Sequence, residues 1–442
     1  MAEGREMITQ IRVDGFKSFV DFHLDVPPSL IMLGPNGAGK SNLFDALRLV
    51  AGTVLDGFEE TISDDPRLSP KGLFHRGGAE GRAQSDAFTV EVGMVVPSSE
   101  GPLPLRARVT VASQEQGRGL PSRPVLVQGK SAVWISSLQS TDWARNVGLG
   151  ADVLSAMREA RERFLARTGT EIAPVGYSYF PRSEGEGIGQ DELFDPFPQN
   201  RGSAELLHLL ADECRGWEPL QLRPEIMRQL SPAGPEAPLG PHGDHLALAL
   251  ARMERGDPAV WRRFVADCAG LIEGLSDVRP YLIERRGEFD FEVAFEHTGW
   301  MVPSLLSDGT LRMLGLLAAS ADPLRPGTLC VEELENGMHP AHVADLVRRL
   351  RRRAGVPAGR RDGPYRQLIA TTHSPALLAA LRTDFSGSLV FLEQVHRTNP
   401  QDRTVSRVTR ALPLRAGDDV PEESISPDQV ARMLRRLGQE AA

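Results

Sequence analysis

Residues 30–42, Leu30-Ile31-Met32-Leu33-Gly34-Pro35-Asn36-Gly37-Ala38-Gly39-Lys40-Ser41-Asn42, pass from four apolar side chains into a glycine-rich turn closed by Lys-Ser. The apolar run predicts a buried strand, and Leu43, Phe44, Ala46, Leu47 and Val50 beyond it recur at helical spacing. Strand, glycine loop and helix in that order suit a triphosphate. The glycines let backbone N–H groups converge on phosphate oxygens, and the helix N-terminus adds partial positive charge to the same concavity. Gly34, Pro35, Asn36, Gly37, Ala38 and Gly39 form the candidate cradle, with Asn42 just inside the helix. Lys40 would reach the β- and γ-phosphates, and the Ser41 hydroxyl would hold Mg²⁺. Binding of ATP or GTP is the strongest single inference; the loop alone names neither the nucleotide nor the work that hydrolysis drives.

Upstream, Ile8, Ile11 and Val13 form a short β-type run before Gly15-Phe16-Lys17-Ser18-Phe19, which predicts an edge strand folding back at a turn with aromatic anchors. A chain of 442 residues is long enough for two or three lobes, and 41% hydrophobic with 25% charged residues excludes a disordered or fibrous chain. Fifty Lys plus Arg against 59 Asp plus Glu leave a net charge of −9, so overall charge does not draw the protein to nucleic acid or an anionic membrane. Any such binding must be local. Cys214, Cys268 and Cys330 lie too far apart for a zinc pattern and are too few for a disulfide framework, which fits a reducing compartment and makes the cytoplasm the expected location. The N-terminus lacks the apolar stretch of a signal peptide, and no segment reaches the ~18 continuous apolar residues of a membrane span.

Residues 87–96 and 104–112 alternate as two antiparallel strands joined by a Pro/Ser/Gly-rich turn at 97–103, predicting a small β lobe. Helical patterns at 151–167, 203–213, 244–255 and 258–274 predict an inserted helical lobe, and none sustains a heptad long enough for a coiled-coil arm. The proline-rich stretch 231–243 reads as an exposed linker within that lobe.

Beyond a buried strand face of Phe289, Phe291, Val293 and Phe295, the chain reads Leu305-Leu306-Ser307-Asp308-Gly309-Thr310-Leu311-Arg312 and enters a Leu-rich helix with Ser307 as N-cap. Thr328-Leu329-Cys330-Val331 is a short apolar strand ending in Glu332-Glu333. Two acids at the C-terminal edge of a parallel sheet would face the phosphate loop, one ordering Mg²⁺ and the other activating the attacking water. Leu368-Ile369-Ala370 starts another strand that ends in Thr371-Thr372-His373-Ser374-Pro375, which sets His373 at a loop tip where an imidazole can donate to a γ-phosphate, with Ser374 capping and Pro375 opening the next helix.

The chain resembles the ABC-type ATPases of the RecF, OLD and SMC group, in particular compact bacterial ATPases classed as AAA family proteins. The resemblance covers both ends and not the middle. Residues 7–50 are similar to the opening strand and Walker A, LLSDGTLR at 305–312 to the signature motif, LCVEELENGMHP at 329–340 to Walker B and its acidic extension, and ATTHSP at 370–375 to the switch-histidine motif. It implies an α/β P-loop NTPase head with a mixed β-sheet, a small antiparallel β lobe and an inserted helical lobe. The expected division is 1–140 and 279–442 for the two halves of the head and 141–278 for the insertion. It further implies that Lys40 and Ser41 bind phosphate and Mg²⁺, that Glu332 takes the metal-side role, Glu333 that of general base, and that His373 senses the γ-phosphate. Ser307 and Gly309 would reach ATP bound to a second subunit, so that two nucleotides close a head-to-tail homodimer. Glu332 stands where Asp is commoner, and Leu334 replaces a frequent Pro. The glutamine loop has two candidates, Gln84 and Gln190.

Arg348, Arg349, Arg351, Arg352 and Arg353 crowd the end of the helix expected at 340–353, either complementing its dipole or forming a patch for DNA phosphates or an acidic partner. After His373 no constellation of acids suits a metal-dependent nuclease, and Asp418-Asp419 stands alone. The expectation is an ATPase switch of genome maintenance or phage defence with a separate effector protein and no membrane partner. A RecF-like repair ATPase that binds DNA and a nucleotide-held scaffold with little turnover are the alternatives.

Overall fold

The computed structural model describes residues 7–78, 82–114, 125–128, 131–138, 144, 147–175, 201–234, 236–325, 327–354, 367–374, 377–378, 381, 387–399, 403–414, 424–426, 429–430 and 432. The chain forms two compact units, each discontinuous in sequence. One comprises residues 1–27, 36–217 and 392–412, the other 28–35, 218–391 and 413–442. The segment expected as one inserted lobe, 141–278, is therefore divided at Trp217 and Glu218.

In the first unit an antiparallel sheet runs in the order Ile172–Pro174, Ala132–Ile135, Gly101–Gln114, Ala87–Ser98, Met7–Asp14, Phe22–Asp25. Alternate residues such as Val90, Val92, Leu105 and Val109 are fully buried, as a sheet with a packed face requires. Met7–Asp14 is not the edge strand its pattern predicts: it pairs with Phe22–Asp25 on one side and Ala87–Ser98 on the other. Its buried Gln10 shows why alternation misleads here, since the amide donates to Asp25 at 2.9 Å and its oxygen accepts from Arg106. The turn expected at 97–103 shrinks to Ser99-Glu100, because Pro97 pairs with Pro102 and Ser98 with Gly101, where the Ser98 hydroxyl donates to the Gly101 carbonyl at 2.7 Å. Helix Lys40–Leu55 packs on Arg201–Cys214, and Ala151–Thr168 lies against Gly101–Gln114.

In the second unit, strands Thr328–Val331, Gln367–Thr372 and Ser29–Leu33 run parallel, and the first residues of Leu389–Thr398 continue the order. All are buried on both faces at these positions, which is why they read as unbroken apolar runs. A second, antiparallel sheet pairs Glu288–Phe295 with Leu275–Ile283, Gly299–Met301 and Ser231–Pro232. Phe289, Phe291 and Val293 are buried as their alternation predicts, while Phe295 is only partly covered. Helix Asp308–Ala321 forms the centre of this unit, with Leu311, Leu314 and Leu317 fully buried against neighbouring helices. Part of the proline-rich 231–243 stretch is pinned rather than free: Leu239 donates its N–H to the buried Asp322 and accepts from Arg325 through its carbonyl.

Candidate nucleotide site

The glycine loop has the backbone that its composition requires. Gly37 and Gly39 adopt φ of +80° and +98°, a region that L side chains rarely enter, and Gly39 is the N-cap of Lys40–Leu55. Gly39 is also closed in. A Cβ there would collide with Thr409 Oγ1 and lie 2.9 Å from Ser18 Oγ. Thr409 Oγ1 is 3.0 Å from the Ala38 carbonyl and 2.7 Å from Ser18 Oγ, its N–H donates to the Ser18 carbonyl at 2.7 Å, and the Asn42 amide donates to Ser18 Oγ at 2.8 Å. A residue near the C-terminus and one from the 15–19 turn thus clamp the loop. Buried Asp45, on the same helix, takes Lys17 at 2.6 Å and Arg67 at 2.9 Å, which ties that turn to the helix by charge. Lys40 is buried and Ser41 half-buried at the helix start.

The second unit carries the acid pair and His373 at one sheet edge. Ser29–Leu33 pairs with the strand beside it up to Leu33 opposite Thr372, and that strand pairs with the next up to Ala370 opposite Val331. The carboxyl ends of three adjacent parallel strands therefore lead into Gly34-Pro35, His373-Ser374 and Glu332-Glu333. In an open α/β sheet this edge is where ligands bind.

The side chains at this edge are tightly held. Gln221 Nε2 donates to Glu332 Oε2 at 2.6 Å, delivered there by a bridge between Leu220 and Val331 in which Leu220 N–H donates to the Cys330 carbonyl at 2.9 Å. Glu333 has φ +52°, a strained conformation for a non-glycine residue that costs of order 1–3 kcal/mol. The strand next door holds it there: Glu333 N–H donates to Thr371 Oγ1 at 2.9 Å and Leu334 N–H to the Thr371 carbonyl at 3.0 Å. Asn336 Nδ2 donates to the Glu333 carboxylate at 2.6 Å. His373 Nδ1 lies 2.9 Å from Glu335 Oε1, which also accepts the His373 backbone N–H at 2.7 Å. The Ser374 hydroxyl accepts from Leu377 N–H at 3.2 Å, as its capping role predicts, whereas Pro375 lies outside the described residues.

Ser307 is the N-cap of Asp308–Ala321, its hydroxyl accepting from Thr310 N–H at 3.1 Å. Arg228 fastens the turn before the helix, donating to the Leu306 carbonyl at 2.9 Å and to Asp308 at 2.7 Å. A Cβ on Gly309 would lie 2.9 Å from the Gly337 carbonyl, and Arg312 donates to the Asn336 carbonyl at 3.0 Å. The start of this helix therefore leans on the segment that follows the acid pair.

Of the two candidate glutamines, Gln84 accepts from Thr404 at 2.6 Å in the first unit, and Gln190 lies outside the described residues. Gln221, Glu335 and Thr409 escaped the sequence reading. In the arginine-rich helix, Arg348 pairs with Asp345 at 2.8 Å and Arg349 with Asp267 at 2.9 Å. Asp418-Asp419 lies outside the described residues. Among the described residues no helix is long and apolar enough to cross a membrane.

A glycine loop between a buried parallel strand and a helix, with an acid pair and a histidine at neighbouring strand ends, defines a P-loop nucleotide-binding fold. The chain belongs to the family described as "AAA domain, putative AbiEii toxin, Type IV TA system", whose model matches residues 29–94 and 204–379, more than half of its length. It is 53% identical over 96 residues to the chromosome partition protein Smc of Bordetella petrii, a stretch covering 21% of this chain and 7% of that protein. It is likewise 53% identical over 47 residues to the Smc protein of Burkholderia pseudomallei, covering 10% of this chain and 4% of that one. The chain thus spans only a small part of these relatives. Solved structures similar to the chain include an Smc head bound to the C-winged helix domain of ScpA, at 16% identity and TM-score 0.48 over 92% of this chain and 98% of that one. An Smc head domain with a coiled coil and joint derived from Pyrococcus yayanosii gives 14% and 0.47 over 98% and 100%.

Proposed function

We propose that the chain binds ATP with Mg²⁺ on the glycine loop, hydrolyses it, and acts as a switch in which two copies close head to tail around two nucleotides. The observation that carries this reading is the register of three parallel strands that ends the glycine-loop strand, the His373 strand and the Glu332-Glu333 strand at one edge. Lys40 and the loop amides hold the phosphates. Ser41 and Glu332 present only oxygen donors, a set that suits Mg²⁺, which usually takes one or two protein oxygens and completes its shell with phosphate and water. When bound, the metal neutralises charge on the β- and γ-phosphate oxygens. Gln221 keeps the Glu332 carboxylate oriented, and Glu333, held by Thr371 and Asn336, takes the proton of the attacking water. His373 meets the γ-phosphate. Ser307 and Gly309 complete the site of the neighbouring copy.

The switch acts in genome maintenance or phage defence through a separate effector protein, in the cytoplasm. Steady-state ATPase assays with and without DNA test this. Turnover that requires Lys40 and is indifferent to DNA supports the switch, DNA stimulation points instead to a repair ATPase, and an absence of turnover with ATP bound points to a nucleotide-held scaffold. The internal pairing of Arg348 and Arg349 weighs against a DNA patch on that helix.

A further inference from the structure

Glu335 stands two residues beyond the acid pair, and the reaction as described gives it no part. Its side chain is 11% exposed, and Oε1 alone accepts both N–H groups that His373 can aim at it, the backbone at 2.7 Å and ring Nδ1 at 2.9 Å. The other oxygen, Oε2, is buried without a hydrogen-bond partner. An orphaned carboxylate oxygen is costly, and its persistence calls for an explanation beyond local stability. The ring itself is different: His373 is 45% exposed and sits on a loop tip, and among the described residues it is Glu335 that fixes its rotation.

We propose that Glu335 is the positioning residue of His373, holding the imidazole with Nδ1 against the carboxylate so that Nε2 is the ring atom presented to a γ-phosphate. This rests on the nucleotide reading given above and adds how the loop-tip histidine is aimed. A carboxylate only accepts, so Nδ1 carries the proton in this contact. A phosphate oxygen also only accepts from the ring, so the imidazole that meets it is protonated on both nitrogens, with Glu335 compensating the charge. Because the same oxygen holds the His373 backbone, the ring and the loop are set by one group. That group lies on the segment leaving Glu333, which couples the aim of the histidine to the acid pair.

The test uses the full chain and compares Glu335→Ala, Glu335→Gln, His373→Ala and the Glu335→Ala/His373→Ala double variant. Glu335→Ala is expected to lower kcat about tenfold or more, as loss of an orienting partner does, while leaving ATP affinity unchanged. The double variant is expected to be no slower than His373→Ala alone, because both act through one ring. Glu335→Gln, which keeps an acceptor, is expected to recover part of the loss. Nitrogen-15 spectra of histidine-labelled protein, assigned by the His373→Ala difference, are expected to show a protonated Nδ1 in the free protein and protons on both nitrogens with ATP bound to a Glu333→Gln background. Additive losses in the double variant, or an unprotonated Nδ1 in the free protein, would overturn the proposal. A wild-type protein without turnover removes the hydrolysis reading, and the nitrogen spectrum of the free protein then decides the Glu335 contact by itself.

Discussion

The amide of Gln221 donates to the carboxylate of Glu332 across 2.6 Å, joining residues 111 positions apart in sequence. The contact uses the amide's donor end and leaves its carbonyl oxygen able to face a metal ion or an ordered water. Replacing Gln221 with Ala is expected to leave ATP binding intact and lower kcat roughly 10- to 100-fold, the usual cost of removing a group that orients a metal-side carboxylate. Nucleotide titration beside steady-state kinetics checks it; a variant that loses ATP affinity and keeps its kcat would contradict the assignment.

Thr409 touches the glycine loop through one hydroxyl, so its removal is an isolated change. Thr409→Val keeps the shape and removes the bonds to Ala38 and Ser18. ATP affinity is expected to fall about tenfold, equivalent to one hydrogen-bonding contact of roughly 1.4 kcal/mol, with Thr409→Ser near wild type. Calorimetric titration of both variants measures it, and equal affinities for Val and Ser would show that the clamp does not shape the loop.

Gly309 faces the Gly337 carbonyl closely enough that a methyl group must displace one of them. Gly309→Ala is therefore expected to keep the fold and ATP binding while slowing turnover at least tenfold, because the Glu335–Met338 segment moves with the helix start. Thermal denaturation run with the ATPase assay separates this from simple destabilisation, which would lower both together.

In the first unit, burial pushes the Glu91 carboxyl upward, but hydrogen bonds and charge from Arg108 and Arg106 outweigh it and hold the group below its ordinary 4.5. A depressed carboxyl contributes stability that is complete above the ordinary value and is lost as pH falls through the folded one. Glu91→Gln is expected to destabilise the protein near neutrality and to flatten its acid limb. Denaturation midpoints from pH 7 downward report it; an unchanged acid limb would show that the two arginines do not set the charge state.

What could be read from sequence was whatever repeats locally. Leu30–Leu33 and Gly34–Ser41 carry their strand and loop in composition alone, and Ser307 announces its cap in a four-residue pattern. Strand order was harder. Met7–Asp14 reads as an edge, yet its polar Gln10 is buried against Asp25 and Arg106, partners that other strands supply. Gln221 gave no signal at all: a single bridge at Leu220 leaves no periodicity, and the preceding Trp217-Glu218-Pro219 does not resemble a strand. Thr409 and Glu335 are ordinary residues until the fold places Ser18 beside the one and His373 beside the other.

The most direct test of the shared site is the mass of the ATP-loaded Glu333→Gln protein by light scattering at micromolar concentration. Blocking the base leaves the phosphate contacts in place, so ATP is expected to convert this variant to a dimer, while Lys40→Ala stays monomeric. A Glu333→Gln protein that binds ATP and remains a monomer would contradict a site completed by a second copy of the chain.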